Sequence, residues 1–96
     1  MTTPDDLMQA IDRLRTARPA LRPALHASAV AMGLTLAEER DAVLKRLDAR
    51  WDWCDANAGH PAFDDRESAV LGDMATYEAM QRALDVAADA LFGEAA

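Results

Sequence analysis

The chain has 96 residues, of which 51% are hydrophobic and 28% are charged, and its formal net charge is -7. A chain of this length forms one domain rather than two. A strongly acidic chain is not expected to bind nucleic acid directly, or an anionic membrane surface, through bulk electrostatics. Helix-favouring alanine, leucine, arginine and glutamate are abundant, whereas the alternating valine, isoleucine and threonine runs of strands are missing. The composition therefore predicts a single all-α domain over residues 1–96.

The cysteine count and the hydropathy pattern predict a cytoplasmic location. Cys54 is the only cysteine, so the chain cannot form an internal disulfide and suits a reducing compartment. No run of eighteen apolar residues is present, and the N-terminal residues lack the basic and apolar regions of a signal peptide. The excess of alanine and arginine indicates a GC-rich bacterial or phage genome.

Proline and glycine residues mark the boundaries of the N-terminal helices. A threonine followed by a proline at positions 3 and 4 is typical of a helix start, and Pro19 disfavours helical geometry in the residue before it. Pro23 can begin a second helix, and Gly33 is a typical helix stop. The sequence therefore predicts helices at about residues 4–18 and 23–32.

Two further helices are predicted in the rest of the chain. Thr35 and Glu38 have the spacing of a capping box, which predicts a third helix at about residues 36–56. A segment containing Asn, Gly and Pro ends this helix, and acidic residues at positions 64 and 67 repeat the capping pattern before a fourth helix at about residues 65–92. Helices joined by so short a connection are expected to form a long antiparallel hairpin. The predicted fold is a small bundle of three or four helices built on this hairpin.

The last predicted helix carries two apolar stripes. One consists of larger side chains that face a core. The other lies roughly 100° further round the helix and consists of small side chains. The members of this small-residue stripe are Gly72, Thr76, Ala79, Ala83, Val86 and Ala90. It either packs on the N-terminal helices or forms a two-fold self-association seam.

Trp53 is the residue that an isolated hairpin explains least well. It lies about 200° round the helix from Trp51, which belongs to the predicted inward stripe. A large exposed aromatic side chain often marks a contact site, and Arg46 and Ala49 share its face. These three residues form the candidate partner-binding surface. In the alternative interpretation, the N-terminal helices or residues 61–63 cover Trp53.

Asp73 interrupts the larger apolar stripe of the last helix. A carboxylate that faces a core needs a partner, and the sequence offers Arg40, Arg50 and Arg66. Asp73 therefore either emerges into solvent or forms a buried ion pair that fixes the register of the helices.

Cys54, His60 and nearby aspartates are the only ligand-type residues that gather in one segment. They lack the second half of a zinc motif, and Cys54 lies on the apolar stripe, where a thiol acts as a small hydrophobic group. No phosphate loop, dinucleotide fingerprint or nucleophile motif is present. We therefore predict a protein without a catalytic, metal or cofactor site, and a metal- or thiol-dependent function at Cys54 and His60 is the second alternative.

These features favour a non-enzymatic helical protein that acts through protein–protein contacts, as a homodimer or as an accessory subunit. An alternative of a different class is an acidic, for example phage-encoded, inhibitor that mimics nucleic acid. In that case Glu78, Asp85 and Asp89 would present carboxylates where a basic groove of a nucleic-acid-binding protein expects phosphates.

Overall fold

A computed structural model describes residues 2–93 of the chain. Within these residues there are three α-helices and no strand: α1 is Pro4–Thr16, α2 is Arg22–Ala56 and α3 is Phe63–Phe92. The prediction of an all-α chain is confirmed. No helix in the described part of the chain combines the length and the apolar character needed to cross a membrane.

The start of α1 follows from local hydrogen bonds. The Thr3 hydroxyl accepts a hydrogen bond from the Asp6 backbone N–H, and the Asp6 carboxylate accepts one from the Thr3 N–H, both at 3.1 Å. The bond from the Thr3 N–H lowers the pKa of Asp6 below its ordinary value. This reciprocal cap confirms the predicted start. The helix ends at Thr16, two residues before the predicted end, because Ala17 already has extended backbone geometry.

The helices predicted before and after Gly33 are one continuous helix, α2, and the predicted boundary is wrong. Gly33 does not adopt the positive φ of a helix-ending glycine. The Thr35 hydroxyl donates a hydrogen bond to the Ala31 carbonyl oxygen at 3.1 Å instead of capping a new helix. A glycine inside a helix costs about 1 kcal/mol relative to alanine. Full burial of a leucine such as Leu36 contributes about 1.5–3 kcal/mol, so packing outweighs the local stop signal.

The start of α3 also differs from the prediction. The helix begins at Phe63, and its N-cap residue, Ala62, makes no capping hydrogen bond through its side chain. Asp64 is therefore not a cap. It lies with Asp65 in the first turn, where carboxylates interact favourably with the positive end of the helix dipole.

Helices α2 and α3 pack along each other in opposite directions. Polar contacts at three levels show the register: His26 Nε2 with the Leu91 carbonyl oxygen at 3.1 Å, Arg40 Nη1 with Gln81 Oε1 at 3.0 Å, and Arg50 Nη1 with Asp73 Oδ2 at 2.6 Å. Residue numbers rise along α2 as they fall along α3. The resulting molecule is long and thin, with dimensions of 60 × 27 × 16 Å.

Helix α1 packs against both long helices at one end of this pair. Leu7 and Ile11 are fully buried and contact a core formed by small and branched residues of α2 and α3, namely Ala29, Leu36, Ala83 and Ala87. A helix of 13 residues is about 20 Å long. It therefore covers only about a third of the length of the molecule, and within residues 2–93 no third helix lies against the remainder of the α2–α3 pair.

Candidate protein interaction surface

The side of the α2–α3 pair that faces away from α1 is here named the open face. Val30 and Ala37 follow by one position Ala29 and Leu36, which belong to the buried core that α1 joins, so they lie about 100° round α2 from that core. Leu44 and Trp51 continue the same row at seven-residue spacing. Two grooves lie on this face, and the described residues that line them belong to α2, α3 and the connection between them, with none from α1.

The upper groove lies beside the N-terminal half of α2 and has a volume of about 310 Å³. Its walls are mainly apolar and include Val30, Ala37 and Leu91. Two large side chains stand out from it into solvent, Leu34 at 65% exposure and Phe92 at 67%. Such exposure on one groove is typical of a contact surface.

The lower groove has a volume of about 210 Å³ and is lined by Trp51, Cys54, Asp55, Ala58, Phe63, Glu67 and Val70. Trp51 is 50% exposed, so its predicted inward position is wrong. Cys54 and Val43 are buried where α2 packs against α3, and Trp51 lies about 60° round α2 from Cys54. The Trp51 ring therefore lies at the edge of the α2–α3 contact, on the open face.

Trp53 lies on the opposite side and is half-buried by contacts within the chain. Its ring meets the His60 ring edge to face, with 5.2 Å between centroids, and the Arg66 guanidinium lies over it at 4.9 Å. The Asn57 side-chain amide donates a hydrogen bond to the Trp53 carbonyl oxygen at 2.7 Å. The connection and the start of α3 therefore contribute to covering Trp53, through His60 and Arg66.

Arg46 is engaged inside the chain by Asp73. Asp73 is only 7% exposed, and its carboxylate accepts hydrogen bonds from Arg46 Nε and Nη2 at 3.1–3.3 Å and from Arg50 Nη1 at 2.6 Å. Hydrogen bonding from Arg46 chiefly, opposed in part by burial, lowers the pKa of Asp73 below its ordinary value. The buried-pair interpretation of Asp73 is the one observed, with Arg50 as an expected partner and Arg46 as an additional one. Arg46 and Ala49, two of the three candidate partner-binding residues, are both exposed, and Arg46 is held by Asp73.

The small-residue stripe of α3 is divided between covered and exposed positions. Ala83 is 5% exposed and lies in the core with α1, and Ala90 packs against the same core. While α1 is docked, Ala83 is therefore not accessible to a second chain. Val86 and Ala79 are half-buried, whereas Gly72 and Thr76 are exposed.

The ligand-type residues do not converge on a common point. Cys54 is buried in the wall of the lower groove, whereas His60 is exposed, packs on Trp53 and accepts a hydrogen bond at Nδ1 from the Ala62 N–H at 3.0 Å. Residues 2–93 contain no group of three His, Cys, Asp or Glu side chains arranged to hold a metal ion. Glu78, Asp85 and Asp89, the row required for nucleic-acid mimicry, are exposed.

The open face was missed by reasoning from the sequence, although a signal for it exists. Val30, Ala37, Leu44 and Trp51 recur every seven residues, which places them on one side of a helix that packs in coiled-coil fashion. The predicted helix boundary at Gly33 separates Val30 from the other members of the row, so the seven-residue repeat is not recognisable from the predicted helices.

Comparison with protein-family models, with curated proteins and with solved structures finds no match to this chain. The basis for a functional proposal is therefore the surface of the molecule itself.

Proposed function

We propose that this chain is a three-helix bundle, built on the α2–α3 hairpin, that acts without catalysis through protein–protein contacts made by its open face. It works in the cytoplasm as an accessory subunit or as a homodimer. The reduced state expected of Cys54 in that compartment is consistent with its buried position in the lower groove.

The observation that carries this proposal is the amount of surface that the folded chain leaves in water. A compact monomer of 10.4 kDa is expected to expose about 5,400 Å², whereas this chain exposes 6575 Å². The excess is about 1,200 Å², and one partner in a standard protein–protein interface buries about 800 Å². The molecule therefore has enough surplus surface for one interface of ordinary size.

The distribution of exposed apolar side chains supports the open face as the location of that interface. Leu34, Leu44, Trp51 and Phe92 all belong to it, with exposures of 37–67%. The opposite side is occupied by α1 at one end and by the Trp53 and Asp73 contacts at the other. Aromatic side chains such as Trp51 are the usual anchors of protein interfaces, and surrounding contacts exclude water from them.

Position-specific photocrosslinking in the native cells tests the proposal. A benzophenone amino acid replaces Leu44, between the two grooves, and in a matched control it replaces Ala75, which is exposed on α3 and lines neither groove. We expect a discrete adduct from position 44 and none from position 75. An adduct of twice the chain mass indicates a homodimer, and any other discrete mass indicates an accessory subunit.

Light scattering over a concentration series gives the oligomeric state of the purified chain independently. Absence of an adduct at position 44 in a folded, monomeric protein, or equal crosslinking from both positions, would refute the open face as an interaction surface.

A further inference from the structure

We infer that the open face binds a basic amphipathic helix of a partner protein, and that a second copy of this chain does not occupy it. This inference rests on the proposed function and specifies the chemical class of the partner. It follows from the shape of the face and from the charges beside it.

The shape of the face fits a helix. The apolar row from Val30 to Trp51 spans about 31 Å at 1.5 Å per residue, and it runs beside α3 between the two grooves. A furrow between two packed helices accepts a third helix whose apolar side chains recur at three- and four-residue steps. Leu34 and Phe92 at one end and Trp51 at the other are anchors for such an occupant.

The charges beside the face determine which helix is accepted. Asp41, Asp48 and Asp55 follow one another at seven-residue spacing along α2 and are exposed. Glu67 and Asp85 lie in the groove walls on α3. Arg40 is the one basic residue among the described residues that line the two grooves. Its guanidinium already donates hydrogen bonds to Asp41 and Gln81.

A second copy of the chain would bring its own acidic row against this one, and like charges placed close together across an interface are unfavourable. Lys45 and Glu38 are both exposed and lie seven positions apart on one side of α2, so together they add no net charge there. An occupant with lysine or arginine on both flanks of its apolar stripe would instead neutralise the carboxylates. Electrostatic complementarity therefore favours a basic helix.

Binding is tested with the full-length chain and three synthetic peptides of about three heptads. The first has leucine at the a and d positions and lysine at e and g, the second replaces those lysines with glutamate, and the third is a scrambled version of the first. The Trp53→Phe variant leaves Trp51 as the only tryptophan. We expect its emission to shift to shorter wavelength with the lysine peptide and not with the other two.

Matched variants then identify the site by titration calorimetry. Leu34→Ser is expected to weaken binding of the lysine peptide about tenfold, whereas Leu71→Ser, which removes a similarly exposed leucine outside both grooves, changes it less than twofold. Neutralising Asp48 and Asp55 together to asparagine is expected to weaken binding about fivefold at low salt, and the effect fades at about 1 M salt. Circular dichroism confirms that each variant is folded.

Three results would overturn the inference. The first is a dissociation constant above about 100 μM for the lysine peptide, and the second is equal binding of the glutamate or scrambled peptide. The third is a wild-type protein that is dimeric together with a Leu34→Ser variant that is monomeric, because a second copy would then cover the open face of the wild type. A position-44 adduct together with any of these results leaves the proposed function standing, whereas loss of both the adduct and peptide binding removes both proposals.

Discussion

Replacing Asp73 with asparagine tests what joins the two long helices. The substitution keeps the shape of the side chain and removes the charge that binds Arg46 and Arg50. Loss of one partner from a fully buried ion pair costs about 3–5 kcal/mol. Here the arginine side chains are 49% and 35% exposed, so water can hydrate them again and screening reduces the cost. We expect Asp73→Asn to lower the free energy of unfolding by about 2 kcal/mol, which corresponds to a fall in Tm of about 8–16 °C.

Urea denaturation at neutral pH, followed by circular dichroism, measures this loss. Glu78→Gln is the matched control because Glu78 is an exposed carboxylate on the same helix, and its change is expected to stay within about 0.5 kcal/mol. Equal stability of Asp73→Asn and the wild type would show that the ion pair contributes nothing to the fold.

The same pair of proteins gives a pH-dependent result whose sign follows from the pKa. The folded-state pKa of Asp73 lies below the ordinary value of 3.8, so ionisation of this group favours the folded state. Its contribution is fully present well above pH 3.8, and it is lost as the pH falls through that value toward the folded-state pKa. The stability difference between the wild type and Asp73→Asn should therefore shrink as the pH is lowered below about 4. A constant difference would contradict the assignment.

Three further predictions address α1, the small-residue stripe and the acidic alternative. Ile11→Ala should cost about 2–4 kcal/mol in urea denaturation, because Ile11 is fully buried between α1 and the long helices. Gly72→Ala should stabilise the chain by about 0.5–1 kcal/mol in the same assay, since a Cβ at this helical position meets nothing within 4 Å; a loss of stability would indicate a second chain against Gly72. If the protein is instead an acidic mimic, it should displace DNA from a basic nucleic-acid-binding protein in a salt-sensitive manner, and no displacement would exclude that function.

Local chemistry made parts of the fold predictable. The start of α1 depends on a hydrogen-bonded cap within four consecutive residues, and the end of α2 depends on the asparagine that follows Ala56, so both could be read from short segments. The stop at Gly33 was equally plausible locally and was wrong, because burial of α2 residues against α1 and α3 outweighs the cost of one glycine. A sequence signal of about 1 kcal/mol decides a helix boundary only where no larger packing energy opposes it.

The surfaces were less predictable because they depend on how the helices are rotated against one another. One helical wheel predicts Trp51 in the core and leaves Trp53 either exposed or covered by another segment, and a rotation of about 60° is enough to move a core position to the edge of the helix contact. The Arg46–Asp73 contact joins residues 27 apart in the chain. Its formation follows from the register of α2 and α3, which no short segment of the sequence encodes.

The antiparallel register of α2 and α3 also has a consequence for the order of folding. Cross-helix hydrogen bonds lie farther apart in sequence with distance from the connection, from 23 residues at Arg50–Asp73 to 41 at Arg40–Gln81 and 65 at His26–Leu91. Closing the shortest loop first costs the least conformational entropy. Once it has closed, each later contact closes only the additional residues beyond the previous contact. We expect α2 and α3 to pair first beside the connection and then progressively away from it, and we expect α1 to dock last. Asp73→Asn should therefore mainly slow folding, whereas Ile11→Ala should mainly speed unfolding.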